Sequence, residues 1–287
     1  MELFTAIVCF IALTLASFTD LKTREVPDFL SYSFIATGVF YNALLTVLNW
    51  NYSYVIASLL GLIAMLLVSL LLFYTGQWGG GDAKLIMGVG AWLGIPFFAH
   101  KESLLLGLYL LNCLLMGGLY GLGWTLMQAV KYKRDFTSSF IARLREKRLL
   151  QIVLLLLAVF VLILTFFLQN RMLCISILAL VLLLLTTLYL WIFIQVVEEK
   201  CFYKRMRPSE LTEGDWLVEP VVVKGRQVVK PNPAGLALKE ITKLQELEKS
   251  KLVAWVTIKE GIPFVPVLLL GFIILLLNPH WLLLLLR

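Results

Sequence analysis

Charge is scarce in this chain: only 15% of its 287 residues are Asp, Glu, Lys or Arg, while 60% are hydrophobic. That much apolar surface cannot be hidden in the core of a soluble protein, which excludes an ordinary water-soluble enzyme. Histidine is nearly absent. His100 and His280 are the only two, both at ends of apolar runs and away from the acidic residues, which argues against a histidine-based metal centre. The four cysteines, Cys9, Cys113, Cys174 and Cys201, are scattered, three of them inside apolar runs. Their spacing excludes a zinc site, a redox pair and a disulfide framework. No internal repeat is present, and the leucine-rich stretches read as membrane spans rather than as low complexity. The first apolar run also lacks the basic start and small-x-small cleavage site of a secretory signal, having Glu2 as its only early charge, so it is read as a retained helix.

What the chain does have is long apolar runs, and a bilayer asks a helix for about 17 to 25 such residues. Eight near-spans are predicted, over 3–19, 29–49, 53–74, 85–99, 104–130, 150–168, 172–195 and 262–278. The fourth is short, and the fifth is long enough to tilt or to kink at its glycines. Lys and Arg favour the cytoplasmic side of a membrane. Lys22 and Arg24, then Lys84, then the cluster Lys131, Lys133, Arg134, Arg143, Arg145, Lys147 and Arg148, and most of the rest within 196–260, all fall on one side of eight crossings. Only Lys101, Arg171 and Arg287 fall on the other. Both termini are thus expected outside. The net charge of +7 is explained by loops that set topology and meet anionic headgroups, and it implies no nucleic acid partner.

The expected fold is an all-α polytopic membrane protein of about eight transmembrane helices with a small cytoplasmic α+β appendage. Its parts are a membrane core over 1–130, a basic interfacial segment over 131–149, an accessory helix pair over 150–195, a cytoplasmic subdomain over 196–260 and a last transmembrane helix over 261–287. Phe136, Phe140, Ile141 and Leu144 recur at helical spacing among arginines, as in a helix lying on the inner leaflet. Within the subdomain, Asp215 to Val223, Lys224-Gly225-Arg226 and Gln227 to Lys230 read as a β-hairpin. After Pro231 and Pro233, Leu236, Leu238, Ile241, Leu244, Leu247 and Leu252 read as an amphipathic helix. A unit of this size is expected to lack a self-sufficient core and to be braced against the membrane or the basic helix.

Two aspartates stand out. Asp20 closes the first apolar run, and Asp82 opens the fourth inside Gln77-Trp78-Gly79-Gly80-Gly81-Asp82-Ala83-Lys84. A carboxylate beside hydrocarbon is costly, so an ionisable residue there is a functional candidate. Two carboxyl groups that share a proton can hydrolyse a peptide bond: the ionised one takes a proton from water and the protonated one donates to the carbonyl oxygen. Their pKa values must differ, and burial with a like charge nearby separates them. The glycines Gly79, Gly80 and Gly81 supply a backbone free to turn left-handed or extended, and room for a substrate strand. Each aspartate alone has an ordinary explanation, Asp82 as a helix cap and Asp20 as a solvated boundary residue.

Taken together, Asp20-Leu21-Lys22-Thr23-Arg24-Glu25-Val26-Pro27-Asp28 and Gly79-Gly80-Gly81-Asp82-Ala83-Lys84 resemble the type IV prepilin peptidases, a family of membrane aspartyl proteases. These have an aspartate after the first helix and a later Gly-x-Gly-Asp motif. The run Gly261-Ile262-Pro263-Phe264-Val265-Pro266 resembles the family's Pro-Phe-x-Pro stretch near the last helix, most like the archaeal preflagellin peptidases. It also fits a proline-bearing helix start. The resemblance covers roughly 1–130 and, more loosely, 196–278. It implies Asp20 and Asp82 as catalytic residues without cofactor or metal, and as substrates type IV pilin-like or archaellin precursors, cut after a short basic leader at the cytoplasmic face. Bacterial members that also methylate the new amino terminus often carry paired Cys-x-x-Cys motifs. None occurs here, so methyl transfer is not expected. The pair over 150–195 has no recognised counterpart in the shorter archaeal members.

Around the dyad, Glu25 and Asp28 read either as attracting the basic leader or as solvated acids offsetting Lys22 and Arg24. Lys84 reads as a contact to substrate, a perturber of Asp82 or a headgroup anchor. Gly90 with Gly94, and Gly117 with Gly121, form Gly-x-x-x-Gly pairs suited to close helix packing in lipid, while Trp78 and Trp92 read either as lining the cleft or, by default, as interfacial. Two other readings stand beside the leader peptidase. A presenilin-type intramembrane protease would carry a Tyr-Asp pair, whereas Thr19 precedes Asp20. A proton- or ion-carrying transporter or scaffold would show a repeat or helices broken at mid-membrane depth.

Overall fold

The computed structural model describes residues 2–96, 105–166, 171–223, 225–232 and 235–278. His100, His280, Lys101, Lys224, Pro233 and Arg287, which entered the reading of the sequence, lie outside the described residues. The chain divides into two compact units, one of residues 1–122 with 205–287 and one of residues 123–204.

The first unit is built on helices whose limits follow the apolar runs. Helix α1 is Leu3–Thr23, α2 is Asp28–Asn49, α3 is Ser53–Tyr74, α4 is Gly80–Leu93, α5 is Leu105–Lys131 and passes into the second unit, and the last, α10, is Val265–Leu277. Helix α1 stops where Arg24 turns left-handed at φ 61°, and Pro27 then sets the entry to α2, a φ already suited to a helix start. The shared core is drawn from all six: Cys9, Leu13 and Ala16, Phe34, Met65, Leu85, Ile86, Val89 and Trp92, Leu106, Tyr109 and Cys113, then Val265, Leu268 and Phe272. Helix α4 runs through its middle, with eight buried residues in 14. Its own backbone approaches α3: a Cβ placed on Gly61 would stand 2.2 Å from the Gly90 carbonyl oxygen and 2.8 Å from the Gly94 Cα. The Gly90-Gly94 pair is thus a backbone-to-backbone crossing, as such pairs permit in lipid. The Ser58 hydroxyl, donating to the Ala91 carbonyl at 2.7 Å, and the Ile95 amide, donating to the Ala57 carbonyl at 2.8 Å, fasten it. In the second pair Gly117 meets Phe264, but among the described residues nothing stands within 4 Å of a Cβ on Gly121.

Trp78 and Trp92 are core residues, 6% and 5% exposed, which corrects their interfacial reading. The Trp92 Nε1–H donates to the Phe34 carbonyl at 3.0 Å, and its ring stacks on Tyr41. The buried indole has both the apolar body and the polar partner it needs.

Residues 205–260 of the same unit form a separate small core from Leu211, Leu217, Val229, Leu236, Ile241, Leu244, Val253, Val256 and Ile258. Strand β1 is Tyr203–Met206, β2 is Trp216–Leu217, β3 is Val221–Val223, β4 is Arg226–Val229, helix α9 is Leu238–Lys249 and strand β5 is Val256–Lys259. The expected hairpin is shorter than the reading of 215–230. Only β3 and β4 form it, antiparallel with Val221 opposite Val229. Trp216 and Leu217 lie instead opposite Lys259 and Ile258 of β5, in a three-stranded sheet of order β1-β5-β2. Pro220 between β2 and β3 explains the split, because a proline cannot donate to a ladder.

The second unit holds α6, Lys133–Glu146, α7, Arg148–Phe166, and α8, Arg171–Val197. Helix α6 bends away from α7 by 66° at a short break. Apolar side chains of α7 and α8 such as Leu155, Phe160, Leu182 and Leu183 are exposed, a surface suited to lipid.

Each predicted span overlaps a helix, although α4 ends at Leu93, short of the expected 99, and residues 97–99, 104, 167 and 168 of the predicted spans lie outside the described residues; the count that qualifies as crossing is smaller. Among the described residues α1, α2, α3, α5 and α8 are long and apolar enough to cross a membrane, and α6 with α7 makes a sixth if the bent pair is one span. Helices α4 and α10 have 14 and 13 residues, about 20 Å each at 1.5 Å per residue, against about 30 Å of hydrocarbon.

Candidate active site

Asp20 lies in the last turn of α1 and is 6% exposed. Its Oδ2 accepts the Val265 amide at 3.0 Å. Val265 is the first residue of α10, so the carboxylate sits where a helix leaves backbone N–H groups without partners inside the helix and favours negative charge. The same turn is tied a second way. Arg24, one turn beyond Asp20, donates from Nη1 to the Gly261 carbonyl and lies 3.8 Å from Glu260. The Gly261 to Pro266 run is therefore held against the end of α1 by a backbone amide at one end and a guanidinium at the other.

Asp82 is the third residue of α4, with Gly79 at the cap position. Its Oδ2 accepts the Gly79 amide at 3.1 Å, so it does serve the helix start, though from inside the helix rather than as the cap. Asp82 precedes the apolar run that begins at Leu85, and α4 is not among the helices long enough to cross a membrane. Burial pushes its carboxyl up to about 7, the charge of Asp20 adds to the rise, and the Gly79 amide opposes it. The two carboxyl groups are thus within electrostatic reach of each other. Asp20 accepts the amide that starts α10 and Asp82 the amide before α4, so the two carboxyl groups are held by different elements, and a like charge in reach separates two pKa values.

Of the two conformations expected of the glycines, the extended one occurs. Gly79 is extended (φ −73°, ψ 163°), and none of Gly79, Gly80 and Gly81 has positive φ, Gly76 being the left-handed residue at 69°. The steric demand falls on Gly81, where a Cβ would stand 3.1 Å from the Val26 Cβ. Val26 belongs to the short segment between α1 and α2, so this contact links the Gly-rich start of α4 to the chain just after Asp20. Trp78 packs on Phe264 at 5.4 Å between ring centroids, and Phe264 presses on α5, 3.0 Å from where a Cβ on Gly117 would be.

Asp28 and Lys84 form an ion pair at 2.5 Å, and the Lys84 ammonium also sits 4.9 Å from the centre of the Tyr32 ring. This corrects the assignment of Asp28 to Lys22 and Arg24. Lys84 turns to α2, and its partner there is a carboxylate other than Asp82. Glu25 is exposed. Tyr120 of α5, which sequence reasoning missed, stands within reach of the Asp20 and Arg24 charges. No spacing signal distinguishes it from the other aromatic residues of α5. Among the described residues no three His, Cys, Asp or Glu side chains cluster as metal ligands would.

Residues 7–122 match the type IV leader peptidase family. Among curated proteins the chain is similar to a preflagellin peptidase of Methanocaldococcus jannaschii, 38% identical over 107 residues, or 36% of this chain and 45% of that protein. It is also similar to preflagellin peptidases of Methanococcus voltae, 30% identical over 94 residues (33% and 40% of the two chains), and of Methanococcus maripaludis, 30% over 81 residues (28% and 35%). The chain spans less than half the length of these relatives. The matched segment contains both Asp20 and Asp82.

Proposed function

We propose that this chain, whose residues 7–122 match the type IV leader peptidase family, is a membrane aspartic endopeptidase. It removes the short basic leader of type IV pilin-like or archaellin precursors at the cytoplasmic face of the membrane, without methylating the product. The observation that carries the reading is that the segment matching the family, residues 7–122, holds both Asp20 and Asp82; two carboxyl groups within electrostatic reach hold one proton more firmly than either would alone. Support also comes from the Val265 amide on Asp20, a third motif meeting the first.

In this mechanism Asp82 holds the proton and Asp20 is ionised. Asp20 takes a proton from water as its oxygen attacks the scissile carbonyl carbon, and Asp82 donates to the carbonyl oxygen. The tetrahedral intermediate collapses with cleavage of the C–N bond, the amine leaving with a proton from the dyad. The Val265 amide fixes the direction of Asp20, and the Gly79 amide fixes that of Asp82. The basic leader stays on the side where Lys22 lies, so an introduced cysteine at position 22 is labelled from the cytoplasm and one at position 51 from outside. The reverse pattern would place the dyad on the wrong side.

The test is cleavage of a purified precursor carrying a basic leader and an apolar helix. Asp20→Asn and Asp82→Asn each abolish cleavage in inserted, folded protein, whereas Asp28→Asn cleaves. Substantial turnover by either of the first two variants removes the dyad assignment.

A further inference from the structure

The second unit carries a basic site that the dyad does not use. Helix α6 is bound to its neighbour along one stripe: Phe136 stacks on Phe140 and meets Phe193 of α8 edge-on, each at 5.4 Å between ring centroids. The Arg143 guanidinium lies 2.8 Å from Glu199, and the Lys147 ammonium sits over Trp191. A second stripe is Lys133, Arg134, Thr137, Ser138 and Ile141, at the i, i+3, i+4, i+7 spacing that places side chains on one helical face. These five line an open depression of about 540 Å³.

Its charges are unanswered from within the unit. Arg143 of α6 is paired with Glu146 and Glu199, but among the described residues neither Lys133 nor Arg134 has an acidic partner. Of the acids on α6, Glu146 faces Arg143, and Asp135 makes its charge felt at Cys201. Neither lines the depression. The Thr137 and Ser138 hydroxyls donate back to the Lys133 and Asp135 carbonyls at 2.7 and 3.0 Å. The donors left for a ligand are therefore an ammonium and a guanidinium, which suit a phosphate oxygen. At the far end Ile141 is 45% exposed, and α6 turns off the axis of the apolar α7 by 66°. Cations at one end of a face and exposed apolar surface at the other match a molecule with an anionic head and a hydrocarbon body. Free phosphate would use only the first.

We propose that this face of α6 binds the headgroup of an anionic membrane phospholipid, with the phosphate between Lys133 and Arg134 and the glycerol and upper chain against Ile141. The proposal stands independently of the activity assigned to Asp20 and Asp82.

The test is native mass spectrometry of the full chain in detergent titrated with phosphatidylglycerol, phosphatidylcholine or inorganic phosphate. Phosphatidylglycerol binds wild type, phosphatidylcholine binds at least about tenfold more weakly, and inorganic phosphate at equal concentration does not displace the lipid. Lys133→Gln with Arg134→Gln weakens phosphatidylglycerol binding by about tenfold or more, the scale of attraction that two basic residues gain near an anionic surface. Lys133→Arg with Arg134→Lys retains binding and reports that the face still folds. Lys239→Gln with Lys249→Gln, which removes equal exposed charge from α9, leaves binding unchanged. Equal binding of the two lipids, displacement by inorganic phosphate, or an equal loss in the Lys239 and Lys249 variant overturns the proposal.

Discussion

The amide of Val265 donates to Asp20 Oδ2 at 3.0 Å, although 245 positions separate the two residues. This bond joins the end of the first apolar helix to the start of the last, and it places the Pro263 to Pro266 run beside Asp20. Pro266 follows within the first turn of α10, so the chain enters the helix with φ already restricted at that point. The Asp20 carboxylate is thereby aimed by backbone rather than by another side chain.

Replacing Val265 by its α-hydroxy acid, which changes the amide to an ester, removes this donor and keeps the side chain. A hydrogen bond to a charged group contributes about 1.5–3 kcal/mol. If the bond orients Asp20 in the transition state, kcat/KM for precursor cleavage falls by about ten- to a hundredfold, with little change in KM. An ester variant with wild-type kcat/KM shows that the amide is only a helix-start contact.

Cleavage should decline as pH rises through about 7, because the proton on Asp82 is lost there. The effect on stability has the same direction. Between the ordinary carboxylate range and about 7 the folded chain holds a proton that the unfolded chain has released, so stability falls as pH climbs through that window. Asp82→Asn removes the dependence. Its thermal midpoint should exceed that of wild type by more at pH 8 than at pH 5, and an equal difference at the two pH values contradicts the raised carboxyl.

The limits of α2 and α3 were legible because apolar runs, Pro27 and the polar turn at Asn49 to Ser53 mark them locally. Asp20 and Asp82 stood out because charge interrupts hydrocarbon there. What was not legible depends on distant partners. A backbone donor such as Val265 has no side-chain signature, and Lys84 gives no sign that Asp28, 56 positions away, is its partner. Trp78 and Trp92 read as interfacial because composition cannot tell a membrane boundary from the inside of a bundle. Strand β2 was joined to the wrong hairpin because its partner β5 begins some forty residues later, beyond the range of turn signals.

Gly61→Ala should be far more damaging than Gly121→Ala. A Cβ at Gly61 would meet the Gly90 carbonyl oxygen at 2.2 Å, backbone that cannot rotate aside, whereas among the described residues a Cβ at Gly121 meets nothing within 4 Å. Overpacking against side chains costs about 1–3 kcal/mol, and here α3 must separate from α4. The expected result is loss of folded Gly61→Ala protein on size exclusion in detergent, with Gly121→Ala unchanged. Recovery of normally folded Gly61→Ala protein would show that the crossing is looser than this geometry.

The three glycines before Asp82 should not be equivalent. A Cβ on Gly80 finds its nearest neighbour, a Phe73 ring carbon, at 3.9 Å, whereas one on Gly81 stands 3.1 and 3.2 Å from the Val26 Cβ and Cγ2. Both positions are helical, where alanine is favoured over glycine by up to about 1 kcal/mol. Gly80→Ala should therefore be neutral or slightly stabilising, with kcat/KM within about twofold of wild type. Gly81→Ala gains the same propensity but pushes Val26, and with it the segment that follows Asp20. It should lose about tenfold or more in kcat/KM, because a small displacement of one carboxyl group from the other disrupts the shared proton, while the thermal midpoint changes little. If Gly80→Ala and Gly81→Ala cleave equally well, the contact with Val26 does not set the geometry of the dyad.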